Sequence, residues 1–487
     1  MVNDPRDPST NVCRVCKNFD AFTDKYRLIP YRDSETGDTG AATNQIVNFL
    51  YTGGALYGLG VVTGTARVEV FNKTDFTNQT WLTPANNTSA SGARAEQVFV
   101  YYKTTNKIYG LKGAGSGTVW SFDVAGGAFG DSVQAVNYTN TAQGIVHSKD
   151  DMLYIPYDNK IMKFDGSTWT VPVLTLPTSM IITSICEYGN YLAIGCRPVD
   201  IGGKSRVYLW DRDTTLATLP QIVDWGNNDL YVLEELQGYL IGISGSATNN
   251  FNYRLTCKFY SEGSGAVTFR ELIASTSQSS GSLRQAKQKS NSRLYFMASV
   301  TLNGTVQEGV WSIGRNSANV PFGLVVDRTP NNDTATVNGL LNGFFLTGDY
   351  MFISYQTNSA YAMSKTNDQP SYTATSVYET TINPGQPDKD SGERSRQKQL
   401  LSSRVGSEPL PTAGSVVSKY RVDSAAGSFT TMTTDTTDGS TGLENGPMDA
   451  AGTAITSGRE YELRLESTGG AVITGYKYKI EENMSLL

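Results

Sequence analysis

The sequence predicts a mainly β protein: a β-propeller, with seven blades favoured and six or eight possible, preceded by an extended N-terminal arm and followed by a C-terminal β-sandwich. Three observations predict it. Gly (48 residues), Tyr (27), Thr, Ser and Asn dominate while runs of helix formers at helical spacing are hard to find, which favours strands and turns. Short apolar strands recur at intervals of roughly 40 to 55 residues, the period of a repeated β module. A charged stretch rich in Pro and Gly, NPGQPDKDSGERSRQKQ at residues 383–399, interrupts the pattern before alternation resumes, marking a domain boundary.

The first element is an arm, residues 1–44. Within KNFDAFTDKYRLIPYRDSETGDTG, Phe19, Phe22, Tyr26, Leu28 and Ile29 stand among charged and turn residues. They are too few and too irregular to form their own core, so they are expected to pack on the repeat, on the C-terminal module or on a neighbouring subunit. These five are the candidate interface residues.

The second element, residues 45–372, carries the repeat. Apolar strands begin at Leu56, Ile108, Leu153, Leu192, Leu240, Leu294 and Met351, and a second strand follows each, ending at Phe71, Phe122, Phe164, Trp210, Tyr260, Ile313 and Met363. In KIMKFDGSTWT the Asp165-Gly166 pair between two such strands is a strong hairpin signal. Hairpins at this period suit propeller blades, because a small sheet cannot bury both faces until neighbours stack on it. Sandwich strands would recur with no such higher period. Closure of the ring would hide the strand edges at both ends, and residues 45–50 or 371–378 are expected to supply the closing strand.

The third element, residues 373–487, shows one apolar and one charged face in VVSKYRVD, EYELRLES and ITGYKYKIEE, the pattern of a half-buried antiparallel sheet.

The chemistry is sparse. Forty basic and 46 acidic residues give a net charge of −6, which implies no broad cationic face for holding nucleic acid. The start has no signal-peptide pattern and no apolar run is long enough to span a bilayer, so a soluble product made in a cytoplasm is expected. Five scattered cysteines suggest free thiols rather than a disulfide framework. Cys13 and Cys16 form CRVC without a second pair, and no metal is expected there. The single histidine, His147, excludes mechanisms needing two imidazoles and reads as structural. GLGVVTG at residues 58–64 lacks the helix a dinucleotide turn requires. FDGSTW at 164–169 is superficially like the Asp box of sialidase propellers but lacks its Ser and one spacer residue. Asp150, Asp151 and Asp165 could form an acid/base pair, although solvated turn positions explain them better. No catalytic residue, cofactor or metal site is expected.

With the arm, repeat and sandwich in place, the chain resembles bacteriophage tail virion proteins, in particular the propeller-bearing nozzle or hub proteins of short-tailed phages. The likeness rests on KNFDAFTDKYRLIPYRD, on blade ends FDGSTW and LWDRD, and on RQKQLLSSRVGSEPLPTAGSVVSKYRVDSAAGSFTTM. It implies a non-enzymatic structural component of the virion tail, synthesised in the bacterial host cytoplasm. Several copies, six favoured, would form a homo-oligomeric ring or tube that joins adaptor and fibre proteins and passes genome DNA without specific binding. Two other functions stay open. One is adsorption to host surface glycans through loop aromatics such as Trp81 or Trp169; the other is a propeller glycosidase or depolymerase acting through Asp165 or Asp151.

Overall fold

The computed structural model describes residues 12–23, 27–36, 44–62, 67–73, 76, 98–113, 117–200, 202–214, 221–248, 252–273, 287–290, 292–302, 305–315, 322–328, 340–348, 350–357, 360–382, 398–422, 428–455, 457–458 and 461–482. They contain no α-helix, and most of their backbone lies in strands of mainly antiparallel sheets. The chain divides into two compact units: residues 35–310 with 335–366, and residues 1–34 with 311–334 and 367–487.

The first of these units is a succession of meanders. Asn44–Thr52, Ala55–Val62 and Arg67–Lys73 form one sheet. Four-stranded sheets follow over residues 99–136, 145–175, 180–226 and 229–273, each with its strands in chain order. Lys287–Ser290 then pairs with Arg293–Leu302. The last meander joins Leu340–Thr347, Tyr350–Thr357 and Ala360–Thr366, with Ser34–Thr36 along its edge. The strands read from the sequence repeat are the second and third of these sheets: Leu56 lies opposite Lys73, Ile108 opposite Phe122 and Leu153 opposite Phe164. The first strand of each sheet touches the first strand of the next, and Leu340–Thr347 touches Asn44–Thr52, returning the succession to its start.

The reason is burial. Side chains alternate between the two faces of a strand, so each sheet offers an apolar face to the sheet before it and another to the sheet after it. Leu153 and Ile155 pack with Val98, Val119 and Tyr138 of the preceding sheet. Their neighbour Tyr154 packs with Ile182, Ile194 and Trp210 of the following one. Cys186, Val207 and Trp225 meet Leu230, Leu233 and Leu240 in the same manner. Ile46, Phe49 and Leu56 of the first sheet share a core with Phe352 and Met363 of the last.

Residues 45–50, expected to close the array, are the opening strand of its first sheet, and residues 371–378 do not close it either. Ser376–Ile382 lies in the other unit, between Val12–Lys17 and Tyr461–Thr468. Their backbone donors and acceptors are consumed there on both edges, which leaves none for the repeat.

In that other unit Tyr461–Thr468 also pairs with Ser415–Val422, which pairs with Thr430–Asp435. A second sheet joins Gly442–Asn445, Lys398–Ser407 and Ile473–Glu482. Their shared core contains Val405, Leu410, Leu443, Leu465 and Ile473, and with them Phe19 and Phe22 of the N-terminal segment. Leu28 packs against the same core, and its amide donates to Ile473 O at 2.9 Å. Ile29–Pro30 pairs with Phe19–Asp20, while Tyr26 lies outside the described residues. These contacts of the candidate interface residues are therefore made within their own chain.

Asp33 ties this segment down. One carboxylate oxygen accepts from Ser371 Oγ (2.6 Å), Thr373 N (2.7 Å) and Thr373 Oγ1 (2.8 Å), and the other from Ala374 N (2.9 Å). Burial acts to raise its pKa, but the four donors outweigh burial and hold the carboxyl below its ordinary range, because each stabilises the charged form. Asp33→Ala should destabilise this unit by about 1–3 kcal/mol in urea denaturation, the range for stranding buried donors of one network. The wild type should lose stability selectively as pH falls through the depressed pKa of Asp33, and the variant should lose that acid dependence.

Candidate functional site

In a four-stranded meander the turns between strands one and two and between strands three and four lie at one end. The turn between strands two and three, and the link to the next sheet, lie at the other. The two ends of the repeat unit carry different chemistry.

The first end holds the acidic residues noted in the sequence. Phe164 pairs with Trp169, and Asp165 Oδ1 between them accepts from Ser167 N (2.8 Å), Thr168 N (2.7 Å) and Ser167 Oγ (2.8 Å). Those bonds, Thr168 foremost, hold its carboxyl below the usual range, so Asp165 is an ionised turn cap. The same device recurs one sheet earlier, where Asp123 Oδ1 accepts from Ala125 N and Gly126 N, and one sheet later, where Asp211 Oδ1 accepts from Asp213 N. KIMKFDGSTWT is thus a hairpin corner that the chain makes repeatedly.

Asp150 is a staple between sheets. Its Oδ2 accepts from Tyr154 Oη (2.9 Å) and from Arg212 Nε (3.1 Å) of the next sheet, and Arg212 also donates to Asn190 O at 2.6 Å. Asp151 Oδ2 accepts from Thr104 Oγ1 (2.5 Å) of the preceding sheet, and the Tyr102 hydroxyl donates to Asp151 O at 2.6 Å. Ser148 N and Oγ donate to Glu187. The three aspartates do come together, close enough for all of them to act on Tyr102. Asp165 Oδ1, Asp150 Oδ2 and Asp151 Oδ2 are engaged as caps and staples.

His147 ends the first strand of its sheet and is fully buried. Lys149 N donates to its Nδ1 (3.3 Å), Asp150 Oδ1 lies 3.5 Å away, and its Nε2 is buried without a partner among the described residues. Burial, then the Arg212 charge, lowers its pKa against the weaker opposing pull of Glu187 and Asp150. Cys16, Cys186, Cys196 and Cys257 are all buried, and burial pushes the Cys257 thiol up to about 12. Cys13 lies in Val12–Lys17.

The opposite end holds the pair that sequence reasoning missed. Asp229 opens the strand Asp229–Leu236, and three hydroxyls of the preceding sheet fix the start of that strand. Ser205 Oγ accepts from Leu230 N (3.1 Å) and donates to Asn228 O (2.7 Å), Thr183 Oγ1 donates to Leu230 O (2.5 Å), and Ser184 Oγ accepts from Leu233 N (3.1 Å). Burial raises the Asp229 pKa, opposed only in part by the Arg197 charge and by the Tyr231 hydroxyl at 3.4 Å. Asp224, across the Gly226–Asn228 link, is the reverse case. Lys204 Nζ donates to it at 3.0 Å and Gly226 N at 3.0 Å, and these bonds hold its carboxyl below the usual range. The two carboxyls, five residues apart in the sequence, are thus pushed in opposite directions, a pattern that acid/base pairs and structural ion pairs both produce. The sequence signal, WGNNDLY, reads only as a turn before a strand.

No protein-family model matches the chain, and no curated protein matches it. Among solved structures it is similar to a protein titled glycoside hydrolase, at 9% identity and a TM-score of 0.28 over 93% of this chain and 100% of that one. It is similar to an exo-β-1,3-galactanase from Phanerochaete chrysosporium at 9% identity and a TM-score of 0.32, over 92% and 99%. It is similar to YjhT at 9% identity and a TM-score of 0.38, over 58% and 97%. Against the expectation of a non-enzymatic phage-tail component, these structures that cover most of the chain are titled as a glycoside hydrolase and an exo-β-1,3-galactanase, and none of them as a tail protein.

A histidine whose folded pKa lies below its unfolded value stabilises the fold above the unfolded pKa and loses that contribution as pH falls. The melting temperature of the wild type should therefore fall from about pH 7 to pH 5, through the unfolded His pKa of about 6.5. His147→Gln should flatten that slope in a thermal-melt series across the same window.

Proposed function

We propose that the repeat unit is a seven-bladed β-propeller glycoside hydrolase in which Asp229 is the proton donor and Asp224 the base, with the C-terminal unit a β-sandwich that incorporates the N-terminal segment. The blade count is supported by seven successive meanders whose first strands touch in order and return to the first. The sandwich is supported by two sheets sharing one core around Val405, Leu465 and Ile473.

The observation that carries the chemistry is the opposite displacement of two carboxyls on either side of one short link. Cleavage of a glycosidic bond needs a carboxylic acid that still holds its proton, to protonate the leaving oxygen, and a carboxylate that attacks the sugar or activates a water. Asp229 suits the first role because burial disfavours its charged form. Asp224 suits the second because Lys204 and the Gly226 amide favour its charged form. Asp150, Asp151 and Asp165 take structural roles on the other end.

On a panel of β-linked oligosaccharides, reducing-end release by the wild type should follow a bell-shaped pH profile. The acid limb belongs to Asp224, and the alkaline limb, displaced above the ordinary carboxylate range, belongs to Asp229. Asp229→Asn should lower kcat by about 100-fold or more, the usual size of a lost general acid, and remove the alkaline limb. Asp165→Asn should leave kcat within about twofold while altering stability. Full activity of Asp229→Asn would overturn the assignment.

A further inference from the structure

We propose that the turn at residues 148–151 is a proton-operated clasp: neutral His147 holds it closed across three successive sheets, and protonated His147 releases it while the rest of the chain stays folded. The inference is independent of the hydrolase reading.

Each residue of this turn reaches a neighbouring sheet. Asp151 Oδ2 accepts from Thr104 Oγ1 at 2.5 Å and Asp151 O from the Tyr102 hydroxyl at 2.6 Å, both of the preceding sheet. Toward the following sheet, Ser148 Oγ donates to Glu187 at 2.7 Å, Lys149 Nζ donates to Asn190 Oδ1, and Asp150 Oδ2 accepts from Arg212 Nε at 3.1 Å. His147 fixes the turn from inside. Its carbonyl accepts from Asp151 N at 3.0 Å and its Nδ1 accepts from Lys149 N at 3.3 Å. Asp151 is held there at φ +50°, in the left-handed region that a non-glycine residue adopts at a cost.

An Nδ1 that accepts a hydrogen bond leaves the single proton of the neutral ring on Nε2. A second proton must go to Nδ1, where it meets the Lys149 N–H, so the bond that closes the turn is lost. The new charge would also lie in a fully buried ring whose Nε2 has no partner among the described residues. Charged groups face this ring from the turn and from the following sheet. Arg212 and Lys149 oppose the proton, whereas Glu187 and Asp150, the latter with Oδ1 at 3.5 Å, favour it. On the adjacent strand Tyr154 meets the ring edge-on, with centroids 6.4 Å apart. Drawing Asp150 toward a charged ring would pull Oδ1 from Met152 N (3.2 Å) and Oδ2 from Tyr154 and Arg212. The closed turn therefore binds the proton more weakly than an open one, and falling pH favours opening.

His147 is the single histidine of the chain, so nuclear magnetic resonance of the full-length protein made with isotope-labelled histidine reads its tautomer and titration directly. Hydrogen exchange followed by mass spectrometry, corrected for the intrinsic pH dependence of exchange, reads the turn. Near neutral pH the unprotonated nitrogen should be Nδ1. From about pH 7.5 to about pH 5, peptides covering 145–154, 187–190 and 209–213 should exchange about tenfold faster, in step with the His147 titration. The ordinary imidazole pKa of about 6.5 sets a ceiling of roughly 30-fold on that gain. Peptides covering 461–468 should not change. His147→Asn, whose side-chain carbonyl can stand in for Nδ1 without titrating, should keep exchange at the turn slow at the lower pH. A ring still neutral at about pH 5, a turn that does not open as the ring titrates, or faster exchange spread evenly over all sheets overturns the inference. So does acceleration that persists in His147→Asn, and the wild-type measurements decide the matter whether or not that variant folds.

Discussion

The repeat unit depends on one constraint: a four-stranded sheet with two apolar faces can leave water only by lying between two others. Leu153 and Tyr154 are adjacent in the chain yet belong to different cores, one shared with the sheet before and one with the sheet after. Every core of the unit is therefore a joint between modules rather than the centre of one. Cavity-forming changes at such joints cost about 2–5 kcal/mol for a Leu-sized side chain, and the loss is felt by two sheets at once. The contact of Ile46, Phe49 and Leu56 with Phe352 and Met363 extends this to the ends of the array, whose outer faces would otherwise stay exposed.

Polar groups follow the same logic at the sheet ends. Asp150 with Arg212, Asp151 with Thr104, and Ser148 with Glu187 each join one sheet to its neighbour. Lys287 reaches across two strands at once, donating to Ile185 O at 2.8 Å and to Leu233 O while pairing with Glu234 at 3.0 Å. Apolar joints set which sheets touch, and these directional bonds set their angle and register. Asp150, Asp151 and Glu187 at this end thus each take part in joining neighbouring sheets.

The other unit solves a different problem. Val12–Lys17 hydrogen-bonds to Ser376–Ile382, and Cys16, Phe19, Ala21 and Phe22 enter a core made otherwise by residues beyond 320. A segment with too few apolar residues to fold alone gains its order from chain distant in sequence, and Asp33 fastens it with four donors from residues 371–374.

The β content, the paired strands of the repeat and the Asp-Gly corner at 165–166 were legible in the sequence because each depends on local chemistry: alternation, turn residues and their period. Which segment pairs at the edge was not legible. NQIVNF and SYTATSVY both read as adequate strands, and only the competition among all strand edges assigns one to the first sheet and the other to the N-terminal segment. The candidate site was illegible for a related reason. Asp229 and Asp224 are the same residue type on either side of one short link, and what pushes their proton affinities in opposite directions is partial burial of the first and a salt bridge from Lys204 to the second. The sequence by itself determined the modules and their turns, because those follow from side-chain period and backbone preference. The tertiary structure alone decided in which direction each carboxyl's proton affinity moves, because dielectric and charge at a point are set by groups that the chain order does not bring together.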